Sequence, residues 1–498
     1  MKSRTVKFIF FAMLFIRVVI AIFMWPGADE AYYFVYTLNP SISYFDHPPM
    51  VAFMGGLFYW LFGWVTPLSL RMVPIIFFSV SIYIIYLIAR NFVNKEESLM
   101  CACIFMLTPM FFISGTLLLP DAGLILFWTL SLNFFIKAVE SDRLKYWILS
   151  GAFIGLAMLS KYTGAFFYIG GLTYISAVKK YRKLFLRPGP YISIVISLIL
   201  FSPVIGWNIS NNFASFAFQS NRIGMANINF RYFYQHLLGQ IGYLLPFVFF
   251  PAFYFVVKSI FKISKQDNIY RLIFSFGSIP VILFLFFSLF RRVLPHWSVI
   301  GYITVTVLAG AFYYELKKKK PRLFHIYSLS HILIVICAVV ITLVQIHTGI
   351  IFNRELNENG IAGKKEISDI SIDIIGWEKL NKYLKRKYLK KEDIFLFTHK
   401  WYLGGQIAFA TKGDYPVMCL NNKENSRGFS VWQNQENHLG KTGMFICTSK
   451  FFKDPKEKYD SYFSDIKLMH KIPVFRAGKK VKIIYIFRCE NFFSEYPV

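Results

Sequence analysis

Apolar runs of about 17 to 25 residues recur along this 498-residue chain as far as about residue 347. Each is long enough to cross a hydrocarbon core of about 30 Å. Backbone groups in lipid must find their partners inside a helix or a closed barrel, and uninterrupted runs of this length are helical. The chain is 56% hydrophobic, 19% aromatic and only 16% charged, which excludes an ordinary soluble globular protein. The pattern predicts a polytopic α-helical membrane protein.

A net charge of +28 would suit a nucleic-acid binder, but the distribution of the basic residues speaks for a membrane and against nucleic acid. With Lys2, Arg4 and Lys7 placed in the cytoplasm, every second connection is basic: Arg90 to Lys95, Lys137 to Lys145, Lys179 to Arg187, Lys258 to Arg271, and Lys317 to Arg322. The intervening connections carry few Lys or Arg, which is the positive-inside pattern of a multi-pass protein with a cytoplasmic N-terminus. The first apolar run reaches about Met24 with no small-residue cleavage site, so it is read as a retained helix. About eleven spans follow, near 8–25, 67–89, 98–118, 122–139, 147–160, 163–178, 191–208, 239–257, 272–290, 296–315 and 326–347, with eleven to thirteen as the range.

An odd count places the rest of the chain on the non-cytoplasmic side. From about Ile351 the sequence becomes mixed and polar. "GWEKLNKYLKRKYL" has helical spacing, and "DIFLFTH", "YPVMCL", "GMFICTS" and "KIIYIFR" read as buried strands. The expected organisation is therefore a transmembrane catalytic domain at 1–350 and an α/β domain at 351–498. Three of the six cysteines, Cys419, Cys447 and Cys489, fall in the second domain, where at most one disulfide is possible.

Ionisable groups at membrane depth are costly, so function is sought where they gather. On this topology Asp29, Glu30, Asp46, His47, Asp121, Lys161, Tyr162, Arg222, Arg231, His236, Arg291, Arg292 and His296 all fall on one face. Each has a plainer reading: Asp121 as an N-cap, Lys161 snorkelling to the interface, Arg291 and Arg292 on lipid headgroups, and His236 and His296 as interfacial aromatics. Taken together, carboxylates beside cations suit a phosphate-bearing substrate. Lys and Arg would hold the phosphate leaving group, and a carboxylate would orient or deprotonate an acceptor hydroxyl. His236 or the Asp46–His47 pair could hold a divalent metal, although no metal-ligand spacing is present. A transporter would instead spread such groups through the midplane, often with inverted repeats, and no repeat is found.

The segments "ADEAYYFVY", "SYFDHPPMVAFM", "LLLPDAGLILFW", "GLAMLSKYTGAFF", "RPGPY", "FSPVIGWN" and "RVLPHW" resemble, in order, bacterial membrane glycosyltransferases of the GT-C fold. The subset is the dolichyl-phosphate-mannose protein mannosyltransferase-like group, including transferases that add aminoarabinose, galactosamine or galacturonic acid to lipid A and lipopolysaccharide. The likeness is good over roughly residues 25 to 300 and looser through "GWEKL" and "FTHKWYLGGQIAFATKG".

It implies an undecaprenyl-phosphate-linked sugar donor, a lipid A or other envelope glycolipid acceptor, and action at the periplasmic face of the inner membrane. It also implies Asp29 as catalytic carboxylate with Glu30, Asp46 and Asp121 in the acidic set. Lys161 is implied at the donor phosphate, and His236 at a metal. Asp46–His47 stands where aminoarabinose transferases carry Glu–Lys, and Tyr32 stands where they carry Arg. A protein O-glycosyltransferase with the same donor is the nearest alternative, and a transporter of a lipid-linked precursor is the non-enzyme one.

Overall fold

The computed structural model describes residues 3–224, 227–262, 268–352, 356, 369–386 and 393–497. Two compact units emerge. The first comprises Met1–Ile22, Ile42–Met54 and Arg71–Ile336, and the second Phe23–Ser41, Gly55–Leu70 and Cys337–Val498.

Seven described helices are long and apolar enough to cross a membrane: Arg4–Phe23, Pro67–Arg90, Pro120–Ser141, Pro188–Ser210, Asn268–Phe287, Pro295–Lys319 and Pro321–Thr348. An eighth is added if Phe230–Leu244 and Pro246–Lys262, bent by 117°, form one span. The protein is a multi-pass helical membrane protein. The remaining expected runs are shorter or broken helices. Run 98–118 divides into Lys95–Leu107 and Pro109–Ser114 because Pro109 supplies no N–H and disfavours helical backbone in Thr108. Run 239–257 breaks at Leu245, whose φ is 61°, just before Pro246. Runs 147–160 and 163–178 form Leu144–Ser160 and Phe166–Ala177. Part of the basic connection between Lys258 and Arg271, at 263–267, lies outside the described residues.

In the second unit a five-stranded sheet has the order β2-β1-β3-β5-β4. Its strands are β1 Ile394–Thr398, β2 Val417–Cys419, β3 Thr442–Thr448, β4 Phe463–Arg476 and β5 Lys479–Phe492. The first three are parallel, with Leu396 opposite both Val417 and Met444, and β5 runs antiparallel to β3 and β4. The strands expected from sequence appear as β1, β2, β3 and β5, whereas β4 was not foreseen. Its sequence "FSDIKLMHKIPVFR" mixes charges with Pro473, which is tolerable because β4 is an edge strand. A two-residue turn joins β4 to β5, with Ala477 at φ 46° and Gly478 at φ 80°, the left-handed pair that a tight hairpin demands.

Alternation divides β1 between two cores. Ile394 and Leu396 pack with Trp377, Leu380 and Leu384, and Phe395 and Phe397 pack with Tyr459, Phe463 and Phe492. The expected helix in "GWEKLNKYLKRKYL" is seen as Glu378–Arg386, and its last residues lie outside the described set. Cys419, Cys447 and Cys489 are buried free thiols.

Candidate active site

In the first unit the site grows from one close helix approach. Pro120 opens the helix Pro120–Ser141 at N1, where its missing N–H costs nothing. Leu119, not Asp121, is the N-cap, so Asp121 sits inside the first turn, where the helix dipole favours a negative charge. Two residues on, a Cβ at Gly123 would meet Ser160 Oγ at 2.6 Å. The glycine thus helps the end of Leu144–Ser160 lie against the start of the Asp121 helix, the close packing that small residues permit between membrane helices. Lys161 leaves that helix with extended backbone, and Tyr162–Ala165 folds back as a 3₁₀ turn. In that turn Gly164 would place a Cβ 2.7 Å from Met158 N.

The result is a buried ion pair. Lys161 Nζ donates to Asp121 Oδ1 at 2.9 Å and to Oδ2 at 3.1 Å. The two residues are 9% and 3% exposed, which replaces both the capping and the snorkelling readings. His296 and His47 are close enough to act on the Asp121 charge. Tyr162 adjoins Ser215 (O···O 2.6 Å), with Asn208, Ser43 and Asp46 also acting on it.

The helix Ala214–Ile223 presents Ser215, Gln219 and Arg222 along one face at helical spacing. Ser215 meets Tyr162, Gln219 Nε2 donates to the Asp46 carbonyl at 2.5 Å, and the Arg222 guanidinium lies 4.6 Å from the Trp297 ring centre. Ser215, Gln219 and Asn208 were missed from sequence. The 215/219/222 spacing was the available signal.

Beyond Arg222 opens a cavity of about 690 Å³ lined by Arg222, Arg291, Arg292, Asn229, Tyr232 and Trp297, among others. Arg291 Nε donates to Gly224 O at 3.0 Å, and Asn229 N donates to Leu289 O at 2.7 Å, which ties the two lining loops together. Arg222 also acts electrostatically on His296, so the cationic cavity and the ion pair share a neighbour. Such an arrangement can hold a phosphate dianion and exchange one carboxylate–ammonium contact for a phosphate–ammonium contact.

His236 is built differently. It is fully buried: Nδ1 lies 3.2 Å from Val293 O, Nε2 lies 2.6 Å from Gln240 Nε2, and Gln240 bonds Ser298 and Tyr302. Both ring nitrogens are engaged with protein, and the described residues contain no group of three or more His, Cys, Asp or Glu able to hold a metal. The residues present do not fit the expected metal at His236. Its place is structural, beneath the 293–298 loop.

Asp29 and Glu30 belong to the second unit, in the first turn of the helix Ala28–Leu38. Glu30 is buried, and its Oε2 accepts from Gly27 N at 2.9 Å to close the helix start, while Asp29 is exposed. The helix is clamped within its own unit by Trp401–Ala410. A Cβ at Gly405 would lie 2.6 Å from Tyr32 N, Gln406 bonds Trp25 and the Pro26 carbonyl, and the Tyr32 hydroxyl accepts from Gly428 N at 2.9 Å. Tyr32, 1% exposed, is thus a packing residue. In the "WYLGGQ" motif Gly405 and Gln406 seat the acidic helix, while Gly404 lies against the Phe429 ring.

The family described as dolichyl-phosphate-mannose-protein mannosyltransferase matches residues 46–207. The structure is similar to that of ArnT from Cupriavidus metallidurans, with TM-score 0.65, 15% identity, and coverage of 97% of this chain and 98% of that one. The likeness to that structure is one of fold. The structure of ArnT from Cupriavidus metallidurans bound to undecaprenyl phosphate matches this chain with TM-score 0.62 at 14% identity, over 97% and 98% of the two chains. In sequence it is 22% identical over 291 residues to the lipid A galacturonosyltransferase RgtD of Rhizobium johnstonii, covering 56% of this chain and 59% of that protein. The match thus spans less than two thirds of that relative.

Proposed function

We propose that this chain is a glycosyltransferase of the bacterial inner membrane. It moves one sugar from an undecaprenyl-phosphate-linked donor to lipid A or another envelope glycolipid. The N-terminus is cytoplasmic, residues 1–350 form the catalytic membrane domain, and residues 351–498 form a periplasmic domain. The observation that carries the reading is the buried Asp121–Lys161 pair beside an arginine-lined cavity, in a fold shared with a protein solved with undecaprenyl phosphate.

In this reading Lys161 releases Asp121 to hold the donor phosphate, with Arg222, Arg291 and Arg292 supplying further positive charge. Asp29 orients the acceptor. The bond between the anomeric carbon and phosphate oxygen breaks, a bond to the acceptor oxygen forms with inversion, and undecaprenyl phosphate leaves. A hydroxyl acceptor gives its proton to Asp29, whereas an ionised phosphate acceptor needs positioning only. Asp46 and His47 flank the phosphate subsite, Tyr162 and His296 line it, and Glu30 holds the helix of Asp29.

Mass spectrometry of lipid A from cells with and without the gene is the direct test. A glycan mass lost from lipid A supports the proposal, and an unchanged lipid A with glycan lost from a periplasmic protein overturns the acceptor. Asp29→Asn should abolish transfer while the protein still reaches the membrane, and wild-type turnover would remove Asp29 from its role.

A further inference from the structure

The carboxyl ends of β1, β2 and β3 point their following loops to the same edge of the sheet, the position where open α/β sheets most often bind ligands. Those loops are rich in lysine. His399 and Lys400 follow β1. The Asn421–Asn425 loop follows β2 and is laced back onto β1, Asn421 Nδ2 donating to His399 O at 2.7 Å and Lys400 Nζ donating to Asn425 Oδ1. Lys453 follows β3, and Lys458 closes the short helix Lys456–Tyr459, reaching toward Leu420 O at 3.5 Å.

Two observations mark this edge as more than a solvated face. The charged side chains acting on Lys458 are Lys453 and Lys400, with the Cys419 thiol beside them and no carboxylate among them. Beneath them His399 is 3% exposed, and its Nδ1 has no hydrogen-bond partner among the described residues. The same three lysines act on that ring. Burial and the neighbouring lysines hold the Lys458 ammonium down to about 8 and the His399 ring down to about 4. The Phe451 backbone, which hydrogen-bonds the His399 ring, acts in the opposite direction.

We propose that Lys400, Lys453 and Lys458, with His399 beneath them, form an anion site that takes the phosphate of a phosphomonoester. The site goes beyond the transferase reading and does not rest on it. Free phosphate and a lipid headgroup share the recognising chemistry, in which ammonium groups donate charge-assisted hydrogen bonds to phosphate oxygens. A bound dianion raises the Lys458 pKa and so keeps that amine protonated and unreactive.

Amine acetylation of the full-length protein in neutral detergent at pH 8, read residue by residue by mass spectrometry, tests this. Inorganic phosphate or detergent-solubilised phosphatidic acid is added against chloride of equal ionic strength. Labelling of Lys453 and Lys458 should fall at least threefold, while Lys467 and Lys479 on the β4–β5 hairpin stay unchanged. Protection by inorganic phosphate assigns a free anion, and protection by phosphatidic acid alone assigns a headgroup. Equal labelling of Lys453 and Lys458 in phosphate, phosphatidic acid and chloride overturns the proposal. Lys453→Glu, a change to an exposed side chain, should abolish protection of Lys458 with the circular dichroism spectrum intact, and protection that survives this charge reversal also overturns it.

Discussion

Two buried ion pairs, one in each unit, are built to opposite ends. In the second unit Arg476 and Asp369 each have side chains only 3% exposed. The guanidinium donates to Asp369 Oδ2 at 2.6 Å, Ser371 Oγ at 2.8 Å, Phe352 O at 3.2 Å and Gln345 O at 3.3 Å. Asp369 also accepts from Ser371 N and Oγ and from Gln345 Nε2. Nearly every lone pair and proton is taken, and the pair fastens the end of the Pro321–Thr348 helix to its own domain. Lys161 and Asp121 in the first unit have hydrogen bonds only to each other among the described side chains. A saturated pair cannot accept a ligand without losing several partners at once. An unsaturated pair loses one contact and regains an equivalent one, so it can serve chemistry.

The largest expected effect breaks the saturated pair. Arg476→Ala leaves a buried carboxylate and two backbone carbonyls short of donors, and should cost about 3–5 kcal/mol of stability, read as a loss of folded protein in detergent thermal denaturation. The double neutralisation Asp121→Asn with Lys161→Gln should instead leave that midpoint near wild type, because replacing a whole buried pair is often close to neutral. Turnover should fall by about 10²–10³, the usual cost of a lost electrostatic contact to a developing charge. A double variant that unfolds as readily as Arg476→Ala, or that turns over normally, would remove the distinction.

The acid limb separates the pairs more finely. Burial alone would raise the Asp369 carboxyl, but hydrogen bonds from Ser371 and Arg476 and the Arg476 charge outweigh it, so its pKa is lowered. The stability it contributes is complete above the ordinary Asp value of about 4 and is lost as pH falls through the depressed folded value. Asp369→Asn should therefore be less stable than wild type at neutral pH and nearly equal to it in strong acid. Parallel melting curves for the two proteins at every pH would contradict this.

How legible these sites are in sequence follows from their physics. The apolar runs and basic loops announce the membrane fold because lipid imposes length and charge rules on every span, whereas Leu245 and Pro109 break spans that composition alone reads as continuous. Asp121 and Lys161 are visible as costly charges beside apolar runs, yet their pairing is helped by Gly123, a residue that looks like any other membrane glycine. Ser215 and Gln219 are too ordinary in type to stand out before the Ala214–Ile223 helix gives them a common face. Tyr32 looks like a lost phosphate ligand in a one-dimensional comparison. Its burial beneath Gly428 is a tertiary fact.

A third arrangement sets the lower limit of the comparison. Lys482 is buried with no carboxylate in salt-bridge contact among the described residues. Its Nζ donates to Ile372 O at 2.9 Å and lies 4.9 Å from the Trp377 ring centre. Burial pulls its pKa down to about 7 against the opposing charges of Asp373 and Glu378. Since a free lysine titrates near 10.4, the unfolded chain holds a proton between about pH 7 and pH 10 that the folded chain has shed, and stability rises with pH across that window. Lys482→Met removes the buried charge but deprives Ile372 O of its donor, so the net gain near pH 7 should be only about 1 kcal/mol. The sharper signature is the slope: the variant's denaturation midpoint should no longer climb from pH 7 to 9. A climb equal to wild type would show that Lys482 keeps its proton in the fold, and that burial without a counter-charge is tolerated in this domain as readily as the saturated pair.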